Sequence, residues 1–469
     1  MKPLTVKEIV EITKGRLIGN SKQDCICFSQ DTRKINRNDT YIGLKGESFN
    51  GSDFWKQALE AGASTIIIEE QELDFDEIKP YQDRAIIFVN DTKKALHQIA
   101  SYRRDQFGAQ FPLVGVTGSV GKTSTKDMIA NVLSQKYKTL KTQGNYNNDI
   151  GLPLTLLNLQ DHEAAVIEMG MNHLGEIRTL TKIAKPTISV ITNVGTSHIG
   201  NLGSRENILK AKLEILEGME KPFLLINQDN DLLAKWNQQN QSNIQTITYG
   251  IEQKADIMAK DIVLQENETT FTCQTKLGTF SVHVPIPGLP FVINSLCAIT
   301  VGLQLGLTQE QIKQGIETFS LTAKRMEVIS LENGVKIIND AYNASYESMK
   351  TALVNLANYQ GKRKIAVLGD MFELGKFAPE LHRKVGEEVA NHNIDLLICM
   401  GENSKYIADE AKKRGMNPEH IIMATSREEI TTKLIQITKK EDVILVKASN
   451  GMKFYTIVNE YIDQMRKQS

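Results

Sequence analysis

Cysteine is scarce in this chain, and its cysteines form no disulfide or metal-binding pattern. There are five in 469 residues, scattered along the sequence, and Cys25 and Cys27 lie too close together for a Cys-x-x-Cys site. We therefore predict a reduced, cytoplasmic protein. Long apolar runs are missing as well. No segment approaches the ~18 residues that a membrane span needs, and residues 1–8 lack the apolar core of a signal peptide.

An excess of charge of either sign is also missing. The 55 Lys and Arg residues and 56 Asp and Glu residues leave a net charge of −1. This balance gives no reason to expect nucleic-acid binding or membrane insertion. We expect the protein to be a monomer. The chain also lacks a compact Ser/His/Asp or Cys/His nucleophile pattern, which disfavours acyl-enzyme chemistry.

The length and the 41% apolar content predict about three domains with real cores. The fold class is α/β, because short apolar runs alternate with helical patterns. We place a small N-terminal α/β domain at residues 1–110 and a central domain with a mixed, mainly parallel sheet at 111–321. A doubly wound, Rossmann-like domain follows at 322–469, although its first turn carries no Gly-x-Gly-x-x-Gly pattern.

Several predicted elements define this division. Residues 164–170 and 188–194 are short, β-branched runs typical of buried parallel strands. Residues 255–285 alternate polar and apolar positions, which predicts added antiparallel strands. A capping-box pattern begins a helix at Thr308. Further strands are predicted in the last domain at residues 364–369, 395–400, 420–424 and 442–448.

The strongest motif lies at residues 115–126, where an apolar run meets a glycine turn and then a helical pattern. A strand, a glycine loop and a helix in this order form the context that a phosphate-binding loop requires, and an ordinary glycine turn before a helix is the alternative. Backbone N–H groups and the helix N-terminus then face a polyphosphate. Lys122 can reach the outer phosphates, and the Thr123 hydroxyl can bind Mg²⁺. The loop is a shortened variant, because Val116 stands where the pattern has its first glycine.

Two side chains follow predicted strands of the same domain. Glu168 ends one strand, and His198 follows the next, so both are expected at the carboxyl edge of the sheet, where ligands bind. Glu168 is equally compatible with a Mg²⁺ ligand and with a solvated acid. A lone histidine is more often structural, and imidazole is an uncommon Mg²⁺ ligand.

Two other clusters have ordinary interpretations. Lys210, Lys212 and Glu214 share one helical segment, where a solvated charged face is the usual arrangement. The amides of residues 145–148 suit a neutral polar ligand such as a sugar or peptide, and they also suit turns, which is the more common use.

Taken together, these segments resemble the ATP-dependent Mur ligases of bacterial cell-wall synthesis, over almost the whole chain. The order and spacing of the motifs carry the resemblance. They are Asp31-Thr-Arg33 with Leu44-Lys-Gly-Glu47, the loop at 117–124, and the segments 141–148, 168–171, 192–198, 203–212, 325–327, 339–344, 368–375 and 446–449.

The resemblance implies a role for each matching residue. The phosphates of ATP would be wrapped by Gly118, Ser119, Val120, Gly121, Lys122, Thr123 and Ser124. Two Mg²⁺ ions would be organised by Thr123, Glu168 and His198, and Lys212 matches a lysine that the family carbamylates. Positions around adenine, ribose and γ-phosphate are Asn294, Arg325 and Asp340. The UDP end of the acceptor would meet Thr32, Arg33, Lys45 and Gly46, and the rest of the acceptor would meet Asn145, Asn147 and Asn148. Asn343 and Ser449 would bind the dipeptide.

The implied reaction is an ADP-forming peptide ligation in peptidoglycan synthesis. A UDP-N-acetylmuramoyl tripeptide would be activated as an acyl phosphate, and D-alanyl-D-alanine would displace the phosphate. The chain departs from the family at Val120, Ser52, Pro290–Phe291 and Tyr346. These departures keep open a paralogue with another amine or acceptor. A catalytically silent nucleotide-binding protein and a P-loop kinase are the alternatives from other classes.

Overall fold

A computed structural model describes residues 3–71, 74–240, 244–321 and 325–468, and the strands in these ranges form four sheets. Each of the three larger sheets is drawn from one part of the sequence, in the order N-terminal, central and C-terminal. The predicted boundary at 110/111 falls between two sheets. The boundary at 321/322 adjoins residues 322–324, which lie outside the described residues, so the domain limits stay predictions. No helix in the described ranges has the length and apolar character to cross a bilayer.

The N-terminal residues form a five-stranded sheet and a two-stranded one. The five strands, in spatial order, are Arg16–Gly19, Ala85–Val89, Thr65–Glu69, Thr40–Ile42 and Phe28–Ser29, and the small sheet pairs Leu4–Thr5 with Asp24–Cys25. The helices of this part are Val6–Thr13, Trp55–Glu60, Phe75–Ile78 and Thr92–Asp105. The edge strand Arg16–Gly19 pairs antiparallel with Ala85–Val89.

The central part contains a nine-stranded mixed sheet. In spatial order its strands are Gly278–Val284, Thr269–Thr275, Ile257–Leu264, Gln245–Gly250, Phe223–Asn227, Ile188–Ile191, Leu113–Thr117, Ala164–Glu168 and Thr139–Lys141. Its helices are Lys122–Leu133, Gly151–Leu157, Glu176–Ala184, Ile199–Leu202, Arg205–Leu213, Asp231–Gln239, Leu289–Gln304 and Gln309–Glu317. The last three strands in sequence pair antiparallel, which confirms the prediction for residues 255–285.

Helices cover both faces of the central sheet, since neighbouring residues of the strand Leu113–Thr117 belong to different apolar clusters. Leu113 packs with helix Glu176–Ala184 on one side, whereas Val114 and Val116 pack with helices Lys122–Leu133 and Leu289–Gln304 on the other. The strand is fully buried, as expected for a parallel strand between two helical layers.

The C-terminal part has a six-stranded sheet with helices alternating along the sequence. Its strands, in order, are Glu327–Ser330, Lys336–Asn339, Val443–Lys447, Lys364–Gly369, Leu396–Met400 and Ile421–Met423. The helices are Tyr346–Asn358, Ala378–Asn391, Lys405–Lys413, Arg427–Ile437 and Tyr455–Gln468. All pairings are parallel except the one made by the first strand, so the predicted doubly wound arrangement is confirmed.

Arg104 ties the N-terminal part to the central sheet. Its guanidinium is buried and donates to the carbonyl oxygens of Ala184 at 3.0 Å, Lys185 at 3.1 Å and Gly108 at 2.8 Å. We expect Arg104→Ala to lower the free energy of unfolding by about 3 kcal/mol, because buried carbonyls lose their donors. Chemical denaturation measures this loss.

The matched control for this prediction is Arg16→Ala. Arg16 pairs with Glu70, and both side chains are about half exposed, so its loss should cost about 1 kcal/mol or less. Equal destabilisation by the two variants would contradict the importance assigned to Arg104.

Candidate active site

The phosphate-loop motif has the predicted conformation. The strand Leu113–Thr117 leads through a turn into the helix Lys122–Leu133. Two glycines make the turn possible: a Cβ on Gly118 would lie 1.9 Å from the Thr192 hydroxyl oxygen, and Gly121 has a φ of +81°. The N–H groups of the first helical turn have no intrahelical acceptor, and Gly121 provides no side-chain cap. These groups are therefore available to an anion.

Asn193, which follows the neighbouring strand Ile188–Ile191, holds the phosphate loop in place through hydrogen bonds. The Val120 N–H donates to the Asn193 side-chain oxygen at 3.0 Å, and the Asn193 amide donates back to the Val120 carbonyl at 3.0 Å. The Ser119 N–H donates to the Asn193 carbonyl at 3.1 Å. These hydrogen bonds fix the backbone at position 120, although Val120 is one of the positions where the chain departs from the family pattern. Because the N–H groups of Ser119 and Val120 donate to Asn193, the N–H groups available to a ligand are those that follow Val120.

Lys122 is the cation of the loop. Its ammonium donates to the Gly118 carbonyl at 2.9 Å and lines a large cavity. Burial lowers the pKa of Lys122, while the nearby carboxylate of Glu168 opposes that shift. A desolvated cation beside free N–H groups attracts a polyphosphate strongly, because little water screens the interaction.

Glu168 ends its strand beside the loop and is only 2% exposed, which excludes a solvated acid. Its two carboxylate oxygens accept from the Thr123 hydroxyl and from the Asn147 side-chain amide, each at 2.8 Å. The Glu168 N–H donates to the Thr142 hydroxyl at 3.0 Å. These contacts fix the carboxylate next to the first turn of the helix.

His198 lies on the other side of the loop. The strand order puts Leu113–Thr117 between Ile188–Ile191 and Ala164–Glu168, so His198 and Glu168 reach the same edge from neighbouring strands. The imidazole Nδ1 pairs with the carboxylate of Glu373, from the C-terminal part. This hydrogen bond from His198 lowers the pKa of Glu373.

Lys212 departs from the solvated face that its charge pattern predicted. Lys210 is exposed, but Lys212 is 1% exposed, and Glu214 is buried with its carboxylate accepting from the Gly175 N–H. Burial lowers the pKa of Lys212 well below its usual value, and the charge of Lys122 lowers it further. Within the described ranges no hydrogen bond or ion pair reaches this ammonium. The solvated interpretation was wrong for residues 212 and 214.

A cavity of about 520 Å³ connects these groups with residues of the C-terminal part. It is lined by most of the predicted site residues: Ser119, Val120, Gly121, Lys122, Thr123, Ser124, Asn145, Asn147, Asn148, Glu168, His198, Asn294, Arg325, Asp340 and Asn343.

Seven predicted site residues lie outside the cavity lining. The seven are Gly118, Lys212, Ser449, Thr32, Arg33, Lys45 and Gly46. Gly118 and Lys212 still lie next to residues that line the cavity, because Gly118 accepts from Lys122 and the charge of Lys122 acts on Lys212.

The predicted acceptor residues near the N-terminus form a separate surface group. The Thr32 hydroxyl donates to the Gln57 side chain at 3.1 Å, and Arg33 is exposed and pairs with Asp31. The Gly46 N–H donates to the Phe49 carbonyl at 2.9 Å. Lys45 is exposed beside them.

The C-terminal residues form the far wall of the cavity. The Arg325 guanidinium lies 3.9 Å from the centre of the Tyr342 ring. The carboxylate of Asp340 accepts from the ammonium of Lys447 at 2.6 Å. Lys447 is buried and also donates to the Asn343 carbonyl at 2.9 Å. Ser449 does not line the cavity, and its hydroxyl oxygen accepts a hydrogen bond from the Phe372 N–H at 2.8 Å.

Four residues at this site were missed by sequence reasoning: Asn193, Glu347, Glu373 and Lys447. Asn193, Glu373 and Lys447 lie within motifs that carried the family resemblance, so their positions could have been singled out. Glu347 had no such signal, because its partner Thr196 is 151 residues away in the sequence.

Comparison with known proteins agrees with this geometry. Three family models match the chain: "Mur ligase family, catalytic domain" at residues 28–104, "Mur ligase middle domain" at 116–302, and "Mur ligase, glutamate ligase domain" at 324–450. The UDP-N-acetylmuramoyl-tripeptide–D-alanyl-D-alanine ligase of Bacillus subtilis is 38% identical over 463 residues, covering 98% of both chains. The enzyme of the same name from Escherichia coli is 33% identical, covering 97% of both.

Solved structures give the same result. MurF from Acinetobacter baumannii superposes with a TM-score of 0.88 at 29% identity, covering 99% of both chains. MurF from Thermotoga maritima, solved in complex with ADP, has a TM-score of 0.81 at 28% identity, covering 94% of this chain and 98% of that one. With family models along most of its length and relatives that match it from end to end, the chain belongs to the Mur ligase family.

Proposed function

We propose that this chain is an ATP-dependent, ADP-forming ligase that joins D-alanyl-D-alanine to the terminal carboxylate of a UDP-N-acetylmuramoyl tripeptide. One observation carries the proposal. The phosphate loop, Glu168 and His198 lie at one edge of the central sheet, and they line one cavity together with residues of the C-terminal part such as Arg325 and Lys447. The substrates follow from the names of the full-length relatives. We further propose that the protein acts as a monomer in the cytoplasm, where ATP is supplied.

The first chemical step is the attack of the acceptor carboxylate on the γ-phosphorus of ATP. The bond from that phosphorus to the ADP oxygen breaks, and an acyl phosphate forms. Two anions must approach each other, so the barrier is largely electrostatic. The partly buried ammonium of Lys122 and the free N–H groups of the first helical turn offset this repulsion.

In the second step the dipeptide amine attacks the acyl carbonyl, and inorganic phosphate leaves as the amine loses a proton. No side chain of the enzyme needs to become covalently attached, which agrees with the absence of a nucleophile motif in the sequence. The far wall of the cavity, with Asn343 near Lys447, is where we place the dipeptide. Thr32, Arg33, Lys45 and Gly46 would hold the distant UDP end of the acceptor.

The donor set beside the loop fits Mg²⁺. The Thr123 hydroxyl and the Glu168 carboxylate are hard oxygen ligands that already lie 2.8 Å apart. No group of three His, Cys, Asp or Glu side chains converges within the described ranges, here or elsewhere, so the phosphates of ATP would complete the coordination begun by Thr123 and Glu168. When bound, Mg²⁺ neutralises charge on the transferring phosphoryl group. His198 would contribute at the opposite side of the loop.

Lys212 suits carbamylation. A neutral amine is the form that adds CO₂, and burial together with the charge of Lys122 favours that form. The product is a carbamate anion close to the Lys122 ammonium, which would remove the repulsion between the two lysines and provide an oxygen ligand for a second cation.

We expect ADP formation to depend on dissolved CO₂. Removing CO₂ and bicarbonate from the buffer should slow the reaction several-fold, and adding bicarbonate back should restore it, because the Lys212 carbamate is in equilibrium with CO₂. A coupled ADP assay measures both rates. The residual rate of Lys212→Ala should not respond to bicarbonate; a wild-type rate that is equally insensitive would contradict carbamylation.

The proposed function is tested by incubating the protein with ATP, Mg²⁺, UDP-N-acetylmuramoyl tripeptide and D-alanyl-D-alanine. We expect one ADP, one phosphate and one ligated product per turnover, identified by mass. Replacing the dipeptide with L-alanyl-L-alanine should abolish the product. Turnover with an unrelated amine and none with D-alanyl-D-alanine would reject the substrate assignment, and ATP binding without acceptor-dependent ADP formation would reject the enzyme.

A further inference from the structure

We propose that Glu347 is a positioning residue that links docking of the C-terminal part to the order of the phosphate loop, and so to ATP affinity. The inference rests on the proposed function, because it concerns the nucleotide site of the same reaction. Glu347 lies at the start of helix Tyr346–Asn358. It reaches across to the segment between strand Ile188–Ile191 and helix Ile199–Leu202.

Both carboxylate oxygens of Glu347 accept hydrogen bonds from one residue of that segment, Thr196. One oxygen accepts from the Thr196 N–H at 2.7 Å, and the other accepts from the Thr196 hydroxyl at 3.0 Å. Hydrogen bonds to a carboxylate are stronger than neutral ones. Thr196 is buried, so water competes weakly for these donors.

The opposite side of the same segment is bonded to the phosphate loop. The Gly195 N–H donates to the Ser119 hydroxyl oxygen at 2.9 Å, and the Ser197 hydroxyl donates to the Ser119 carbonyl at 3.2 Å. Consecutive residues therefore contact Glu347 on one side and Ser119 on the other. Ser119 lies two positions before Gly121, where the anion-binding turn begins, so a shift of the segment is transmitted directly to the loop.

Gly195 shows how close the carboxylate comes. A Cβ at this position would lie 2.6 Å from the Glu347 carboxyl carbon, and Gly195 has no positive φ that would itself exclude alanine. Glu347 is therefore the group that excludes a side chain here. Gly195→Ala should displace Glu347 without straining the backbone.

A second contact shows that this segment is a docking point. The Gly200 N–H donates to the Glu373 carbonyl at 2.9 Å, and a Cβ on Gly200 would lie 2.6 Å from that oxygen. Glu347 differs from Glu373 in one respect: its partner Thr196 lies between Gly195 and Ser197, the two residues that are bonded to the phosphate loop. Its effect should therefore appear in nucleotide binding rather than only in protein stability.

The test is a double-mutant cycle on Glu347→Ala and Gly195→Ala, with the dissociation constant of a non-hydrolysable ATP analogue as the readout. We expect each single variant to weaken binding about tenfold, as for a lost charged hydrogen bond. The double variant should be no weaker than either single one, because both remove the same contact. Glu347→Gln keeps an acceptor for the Thr196 N–H and should fall between wild type and Glu347→Ala.

The control is Glu380→Ala, which removes an exposed glutamate paired with Lys384 and should leave analogue binding unchanged. Thermal unfolding checks that each variant is folded. Should Glu347→Ala fail to fold, the dissociation constants of Gly195→Ala and Glu347→Gln decide: both should exceed that of the wild type, and that of Gly195→Ala should be the larger. Wild-type affinity in the single variants, or effects that multiply in the double variant, would overturn the proposal. If the wild type forms no ligated product but Glu347→Ala still weakens analogue binding, the reaction assignment fails and the positioning role stands.

Discussion

Replacing Lys122 with alanine should slow acceptor-dependent ADP formation by about 100- to 1,000-fold, as for the loss of one preorganised group that stabilises transition-state charge. The ammonium is partly buried in the cavity wall, and the carboxylates of Glu168 and, less strongly, Glu373 offset its desolvation. Its loss leaves the N–H groups of the helix and the guanidinium of Arg325 to supply the positive potential on the protein side. Steady-state ADP release with saturating substrates measures the effect.

The matched control is Lys182→Ala, which removes an exposed lysine from helix Glu176–Ala184 in the same part of the chain. Its rate should equal that of the wild type. A Lys122→Ala enzyme that retains full speed would refute the electrostatic role of the loop, whereas an unfolded variant would be recognised by its melting curve. Lys122→Arg keeps the charge but not the geometry, and we expect only partial recovery.

Glu168→Gln should give the second large effect, a loss of about 100-fold in ADP formation together with a higher Mg²⁺ requirement. Both carboxylate oxygens accept hydrogen bonds, from Thr123 and from Asn147. An amide in this place removes the negative charge and presents a donor where an acceptor is needed. Titration of the rate with Mg²⁺ separates weaker cation binding from a slower chemical step.

Glu163→Gln is the control for this variant. Glu163 is an exposed acid just before the same strand, and its carboxylate accepts from the Lys138 N–H. Neither the rate nor the Mg²⁺ requirement should change. An unchanged Mg²⁺ titration in Glu168→Gln would contradict the assignment of Glu168 as a cation ligand.

Local patterns in the sequence predicted the phosphate loop and the strands beside it, because these features depend on neighbouring residues. A buried parallel strand needs an apolar run, and a tight turn before a helix needs glycine. Strand order then brings Glu168 and His198 to the same edge, and this order follows general rules for parallel sheets. The edge position of both residues could therefore be anticipated.

Other features depended on contacts between distant segments. The charged pattern around Lys212 resembles a solvated helix, yet residue 212 is buried and Glu214 accepts from Gly175 and Arg178. Helix Glu176–Ala184 covers this face, and nothing local to residues 210–214 reveals that packing. Glu347 was missed for the same reason, since its role exists only when two parts of the chain are in contact.

Isotope transfer from the acceptor to phosphate tests the proposed acyl phosphate most directly. The terminal carboxylate of the UDP-N-acetylmuramoyl tripeptide is labelled with ¹⁸O on both oxygens, and the phosphate released during ligation is analysed by mass spectrometry. We predict that each phosphate carries one labelled oxygen and that the other stays in the new amide. Unlabelled phosphate alongside normal product formation would show that the carboxylate never attacked the γ-phosphorus.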